Sequence, residues 1–350
     1  MSGTMMDIFN GDAFTSVTLT SKVNETFPYV PTFLYDLGIA PAEGMVTLTA
    51  AFEEETGGIR LIPTSPRGAP PSQQTGTKAK LRKLDAVHFA REAHVNADEL
   101  LALRGRGALT PETAQGLLLK RTDGPVGLKV EWKLTLEHML LGAVDGVVYD
   151  ADNSTVLYDY FDWMGTTRPD ALNLPISTMT ADTAVFEAFA MALRREMILA
   201  LTGMAFAGGQ VVVLCGDNFF DALITSKELK AAKKNGAMGN QDAALKIADN
   251  SPYSAFIYAG IVWVNYRGTL DTKVSVPTDE ARAFMLGVPG LFQTLFAPAD
   301  TFDTVGAEGL PLYLLNLPER QTSKRFTAEL QSNPLIACLR PRSLRRITKS

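Results

Sequence analysis

Residues 127–160 read GLKVEWKLTLEHMLLGAVDGVVYDADNSTVLYDY, and this stretch decides the fold. Leu128, Trp132, Leu136, Met139, Leu140 and Ala143 recur at helical spacing, which predicts one long amphipathic helix after Gly127. Lys129, Glu131, Lys133 and Glu137 fall mostly off that stripe, so they are expected on the outer side. The helix should stop between Gly142 and Gly146. Two short β-prone runs follow, 147–150 and 155–160. The turn between them is Asp150-Ala151-Asp152-Asn153-Ser154, whose side chains can bond their own backbone.

Upstream, residues 1–45 read as an arm. Pro28, Pro31 and Pro41 forbid a long helix, yet Phe9, Phe14, Phe27, Tyr29, Phe33 and Leu34 are too apolar for a free tail. Such a segment must lie on its own body or on a neighbour. Residues 46–52 and 59–62 read as strands around Gly57-Gly58, with Glu53-Glu54-Glu55 as a solvated turn between them. Residues 63–77, PTSPRGAPPSQQTGT, have nothing to form a core and read as an exposed tip. Lys78-Ala79-Lys80-Leu81-Arg82-Lys83-Leu84 leads back as a basic strand, so the whole is a protruding hairpin with a cationic end.

Downstream, Thr110-Pro111-Glu112 starts a helix with proline at its first position. A second clear helix is expected over 181–205, with Asp182 favouring its N-terminus and Gly208-Gly209 stopping it. Residues 210–318 change character and read as a small α/β lobe. Its elements are a buried strand at 210–215, a helix after Gly216-Asp217-Asn218, a polar helix over 227–250, and strands at 256–266 and 272–276. Strands around 335–339 and 344–347 close a sheet at the C-terminal end.

The chain has 350 residues, 46% of them hydrophobic and 20% charged, enough to bury a substantial core and unlike a disordered chain. A net charge of −5 argues against a dedicated nucleic-acid binder. The balance is uneven, however. Residues 58–106 hold nine Lys/Arg against four Asp/Glu, and residues 319–350 hold eight against two. Blocks of opposite sign in one chain suit a subunit that docks one part on a different part of its neighbour. No run approaches the ~18 apolar residues of a membrane span, and the N-terminus has no secretory pattern. The two cysteines, Cys215 and Cys338, sit in apolar runs and read as buried free thiols.

Catalytic patterns are missing. There is no phosphate-binding glycine loop and no nucleophile elbow. His88 and His94 are six apart, which suits neither a helix face nor a zinc pattern, and His138 reads as structural. Asp217-Asn218 reads as a helix cap rather than a ligand site. No enzyme activity, metal or cofactor is expected. Arg340, Arg342, Arg345 and Arg346 could touch phosphates without reading sequence, or pair with acid on a neighbour.

Four blocks carry a family resemblance. They are Met6–Asn10 through Pro28–Pro31, Gly146–Asp159, Glu280–Phe284 with Gly287–Phe292, and Ser332–Leu335 through Arg340-Pro341. In order, and nearly end to end, they resemble the lambda-like major capsid proteins of tailed bacteriophages. The resemblance implies an α+β fold of the HK ninety-seven type, with N-terminal arm, protruding E-loop, spine helix, peripheral domain and axial domain. On this chain the arm would be 1–45, the E-loop region 46–109, and the spine helix with peripheral domain 110–208. The axial domain would be 209–318, and 319–350 would return to the peripheral domain.

It further implies pentamers and hexamers closing an icosahedral shell around double-stranded DNA, assembled in the bacterial host cytoplasm. Portal, scaffold and decoration proteins would be partners, and no membrane would be involved. Inter-subunit contact is expected from Arg67, Lys78, Lys80, Arg82 and Lys83 of the hairpin and from Phe27, Tyr29 and Phe33 of the arm. The C-terminal arginines would meet DNA or a neighbour. An encapsulin-type compartment shares the fold and is the second reading. An α/β enzyme built on 210–318 is the third.

Overall fold

The computed structural model describes residues 33–56, 78–96, 98–99, 111–123, 127–201, 209–234, 254–266, 268, 274–317 and 325–350. The hairpin tip 63–77, Phe27, Tyr29, Arg67, strand 59–62, the short helix expected after Asp98 and residues 235–250 lie outside them.

The helices are α1 (Phe33–Asp36), α2 (Pro111–Asp123), α3 (Leu128–Asp145), α4 (Tyr160–Met164), α5 (Val185–Ala200), α6 (Asp217–Thr225) and α7 (Lys227–Lys234). The strands begin with β1 (Ala42–Gly44), β2 (Thr49–Thr56), β3 (Lys78–Asp85), β4 (Phe89–Asn96), β5 (Val147–Tyr149), β6 (Val156–Asp159), β7 (Leu172–Leu174) and β8 (Gln210–Cys215). They continue with β9 (Ala255–Tyr258), β10 (Ile261–Asn265), β11 (Glu280–Leu286), β12 (Phe292–Phe296), β13 (Tyr313–Leu317), β14 (Arg325–Ser332), β15 (Pro334–Cys338) and β16 (Arg345–Lys349).

A six-stranded mixed sheet runs β7-β16-β11-β8-β10-β9. Its strand β8 is buried from Val211 to Cys215, which is why the sequence there is an unbroken apolar run rather than an alternation. Helices α5 and α6 pack on this sheet through Phe186, Leu193, Phe219 and Leu223. A second, antiparallel sheet runs β13-β14-β4, and a third runs β1-β12-β15. Two hairpins, β2-β3 and β5-β6, complete the pairing.

Helix α3 joins two cores. Its first half, Leu128, Trp132 and Leu136, packs with the β4-β13-β14 sheet. Its second half, Met139, Leu140, Ala143 and Val144, packs with the six-stranded sheet. It ends at Gly146, whose φ of 90° is left-handed and whose N–H returns to Gly142 and Ala143. A side chain there would also collide with the Phe161 ring, so only glycine fits.

Several sequence expectations are corrected. The acidic run 53–55 is not a turn but continues β2, where the register sets Glu54 opposite Lys80; opposite charges across a ladder favour that pairing. The run 256–266 is two strands, because Ala259 and Gly260 both turn left-handed. Residues 274–276 form no strand, and 89–96 is a sheet strand rather than part of a loop. Helix α5 starts at Val185, three residues beyond Asp182, and no side chain of its own caps it. The buried carboxylate of Glu228 instead accepts from Phe186 N (3.1 Å). Gly216, not Asp217, caps α6; Asp217 lies in its first turn. The final strand β16 inserts between β7 and β11 of the six-stranded sheet, so residues 209–318 share their sheet with the C-terminal strand. Both cysteines are buried free thiols, as read.

Candidate assembly surfaces

Three devices fix the outlying segments to the body, and each turns on polar side chains that the helical stripe placed outside. The first holds the arm. Glu137, on α3, is 2% exposed. Its carboxylate accepts from Leu34 N (3.0 Å), Tyr35 N (3.0 Å) and the Tyr266 hydroxyl (2.9 Å). It thus satisfies the free N–H groups of α1, a helix too short to satisfy them itself. Burial pushes its pKa up, and the three donors pull it back only in part. Phe33 packs edge-on against Tyr266 and Tyr35 edge-on against Trp132. Beyond α1, strand β1 adds parallel to β12.

Phe33 is therefore a correction. Expected at a neighbour, it is buried in its own chain's core, because Glu137 draws α1 down onto α3.

The second device holds the hairpin root. Arg82 donates to the carbonyls of Trp163 and Met164, the latter at 2.6 Å. Trp163 Nε1 donates to Lys83 O (2.9 Å), and the Tyr158 hydroxyl donates to Asp85 O (2.6 Å). Phe52, opposite Arg82 in the ladder, meets the Trp163 ring edge-on. Arg82 was expected at a neighbour; its guanidinium is taken up by the carbonyls that end α4. Lys80 and Lys83 are exposed, and the Lys78 side chain lies outside the described residues.

The third device ties the end of α3 to the sheet. Asp145 accepts from Arg346 (2.9 and 2.5 Å), Arg168 (2.8 Å) and Arg282. Arg282 also meets Glu280 at 2.7 Å. Burial opposes the charge on Asp145, but the Arg346 hydrogen bond and the fields of Arg282 and Arg168 outweigh it and hold the carboxyl below the usual range. Arg346, read as a contact to DNA or a neighbour, is committed here, and Arg345 faces Glu196 at 3.4 Å. Arg340 is half-buried and Arg342 is exposed.

Sequence reasoning missed Glu137, Asp145, Arg168 and Arg282. Spacing marks such residues as polar, and only the fold shows which polar residues meet. Glu137 carried one faint signal, a carboxylate on an apolar helix one turn from Trp132 and Leu141.

The surface offers little chemistry. A 170 Å³ cavity beside Asp145 is lined by His138, Tyr149, Asn153 and Arg282, but its acid and base are paired to each other. His138 faces the Asp150 carbonyl at 3.2 Å, His88 faces Asn333, and His94 faces Thr327. Among the described residues no group of three or more His, Cys, Asp or Glu is placed to hold a metal ion. No described helix is long and apolar enough to cross a membrane.

The chain matches the family described as phage major capsid protein E over residues 15–349. It is 24% identical over 298 residues to the major capsid protein of Pseudomonas phage KPP10, covering 79% of this chain and 81% of that protein. Among solved structures, the putative capsid protein of a prophage from E. coli CFT073 superposes with a TM-score of 0.53 at 13% identity. That match covers 96% of this chain and 99% of the other. The mature capsid protein of bacteriophage PhiM1 gives 0.51 at 12% identity, covering 93% and 89%. These likenesses show the α+β tailed-phage capsid fold. The chain belongs to the phage major capsid protein E family and is a structural subunit of a phage capsid, not an enzyme.

Proposed function

We propose that the chain closes an icosahedral shell from pentamers and hexamers by laying its arm and its β2-β3 hairpin across neighbouring copies, and that the shell holds double-stranded DNA. The observation that carries this reading is the hairpin itself. Its root is pinned to the body through Arg82, Trp163 and Tyr158, while its two-stranded ladder has no third strand among the described residues. A two-stranded ribbon is marginal alone in water and gains stability by lying on another surface. One such contact repeated around a shell lets weak unions sum to a stable whole.

The proposed partners are further copies of the chain, then a portal, a scaffold and a decoration protein, with assembly in the bacterial cytoplasm. Exposed Arg342 and the cationic side of the hairpin suit contact with a neighbour or with packaged DNA, without sequence readout. The segments 1–45, 46–109, 110–208, 209–318 and 319–350 are proposed as arm, E-loop region, spine with peripheral domain, axial domain and C-terminal return.

The test removes residues 60–75 and closes the hairpin with a short glycine turn. The shortened chain should purify folded but remain a monomer or small oligomer by sedimentation. Closed particles of parental size under the electron microscope would overturn the interlocking role.

A further inference from the structure

Five of the eleven exposed large apolar side chains among the described residues lie on two adjoining segments. Val46 (51% exposed) and Leu48 (66%) precede β2, while Phe302 (99%), Val305 (78%) and Leu310 (41%) lie on the loop from β12 to β13. The segments are tied together: Gly309 N donates to Met45 O (3.0 Å), and Met45 N donates to Phe296 O (2.8 Å). Nor is the loop a loose one. Thr304 Oγ1 donates to Ala299 O (2.7 Å), Leu310 N to the Tyr313 hydroxyl (2.8 Å), and Gln331 Nε2 to Asp300 Oδ1 (2.7 Å). A fixed loop that holds a phenylalanine out in water has an apolar patch built for burial against something else.

The rim of this face has one sign. Residues 41–48 and 298–312 contain Glu43, Asp300, Asp303 and Glu308, and no lysine or arginine. A partner surface should therefore be apolar at its centre and basic around it. Strand β3 has that pattern. Leu81 is 61% exposed, between exposed Lys80 and Lys83. Strand alternation turns Arg82 toward the body and Leu81 and Lys83 away from it. Neither Lys80 nor Lys83 makes an ion pair among the described residues, whereas Arg345, Arg346 and Lys349 of the other basic block pair with Glu196, Asp145 and Asp279 of their own chain. The opposite edge of the ribbon, β2, carries Glu53. An acidic-rimmed face thus accepts the ribbon by its β3 side and repels it by its β2 side, which fixes the direction of docking.

We propose that the face formed by residues 46–48 and 300–310 receives the Lys80-Leu81-Lys83 side of β3 from a second copy of the chain. The contact is heterologous, one patch on a different patch, and propagates around a ring. This inference rests on the interlocking role of the hairpin and names the surface that receives it.

Charge reversal tests the pairing in the full-length chain. Asp303→Lys with Glu308→Lys should lower particle yield at least ~tenfold, and Lys80→Glu with Lys83→Glu should do the same, since like charges then face each other. All four changes in one chain should restore yield to within ~threefold of the parent, because the pairing is reversed rather than lost. Phe302→Asp should abolish particles in either background. Every position is exposed, so the melting temperature of each soluble subunit should stay within ~2 °C of the parent; that measurement separates lost assembly from lost folding. Parental yield from the Asp303→Lys, Glu308→Lys chain would overturn the proposal. So would a fourfold variant no better than either half. If the tip deletion still blocks assembly in that case, interlocking stands and only the receiving surface is wrong. If the tip deletion assembles, interlocking itself falls.

Discussion

The spine helix and the hairpin-and-loop region invert each other. Along α3, charged side chains go inside: Lys129, Lys133 and Glu137 are buried, and Asp145 is nearly so. Along β3 and the 300–310 loop, apolar side chains go outside: Leu81, Phe302 and Val305 stand in water. Buried charge is tolerated only where partners meet it, and each of these has them: Asp123 for Lys129, the Tyr35 ring for Lys133, backbone N–H for Glu137 and three guanidinium groups for Asp145. Exposed apolar area is not compensated within the chain, so its compensation lies in assembly. The comparison teaches that the first region is finished within one subunit and the second is not. Substitutions in the first should damage folding, and those in the second should damage only the union of subunits.

The largest expected effect falls on the junction at the end of α3. Asp145→Ala leaves three guanidinium groups without their carboxylate and should cost ~3 kcal/mol or more. Chemical denaturation of the soluble subunit measures this, and an unchanged midpoint would break the comparison at its strongest point. Next comes the arm anchor. Glu137→Ala orphans Leu34 N, Tyr35 N and the Tyr266 hydroxyl and should cost ~2 kcal/mol, with faster hydrogen exchange confined to α1 and β1. Exchange spread evenly over the protein would show that Glu137 serves the whole core rather than the arm.

Acid sharpens the same contrast. The folded-state pKa of Asp145 is lowered, so its stabilisation is complete above the unfolded carboxylate value of about 4 and is lost as pH falls through the lower folded value. The stability gap between the parent and Asp145→Asn should thus stay constant from pH 7 to about pH 5 and shrink only below about pH 4. A gap that closes near neutrality would assign the effect to another group. The smallest effect on stability belongs to the unfinished region. Leu81→Ser should change the unfolding free energy by no more than ~0.5 kcal/mol while lowering particle yield. A matching loss of stability would mean that Leu81 already serves the subunit's own core.

What the sequence could tell depended on range. The helix at 128–145, the strand at 210–215, the turn at 150–154 and the helix start at Pro111 were legible, since each is written in neighbouring residues: a 3.6 period, a solid apolar run, an Asx turn, a proline at N1. The basic strand leading back from the proline-rich tip was legible for the same reason. Family membership was legible too, from the order of four short blocks. The strand at 89–96 was not, because its residues mix charge and apolar types and only pairing with β14 makes it a strand.

The sequence by itself settled which segments are helix or strand wherever a local pattern repeats, and it settled that the chain is a capsid subunit without a catalytic constellation. Only the tertiary structure decided that Phe33 lies inward, that Arg82 and Arg346 are held within the chain, and that Phe302 stands exposed. The reason is physical. Periodicity fixes the direction of a side chain relative to its own backbone, whereas burial and pairing depend on what another segment, often more than a hundred residues away, brings against it.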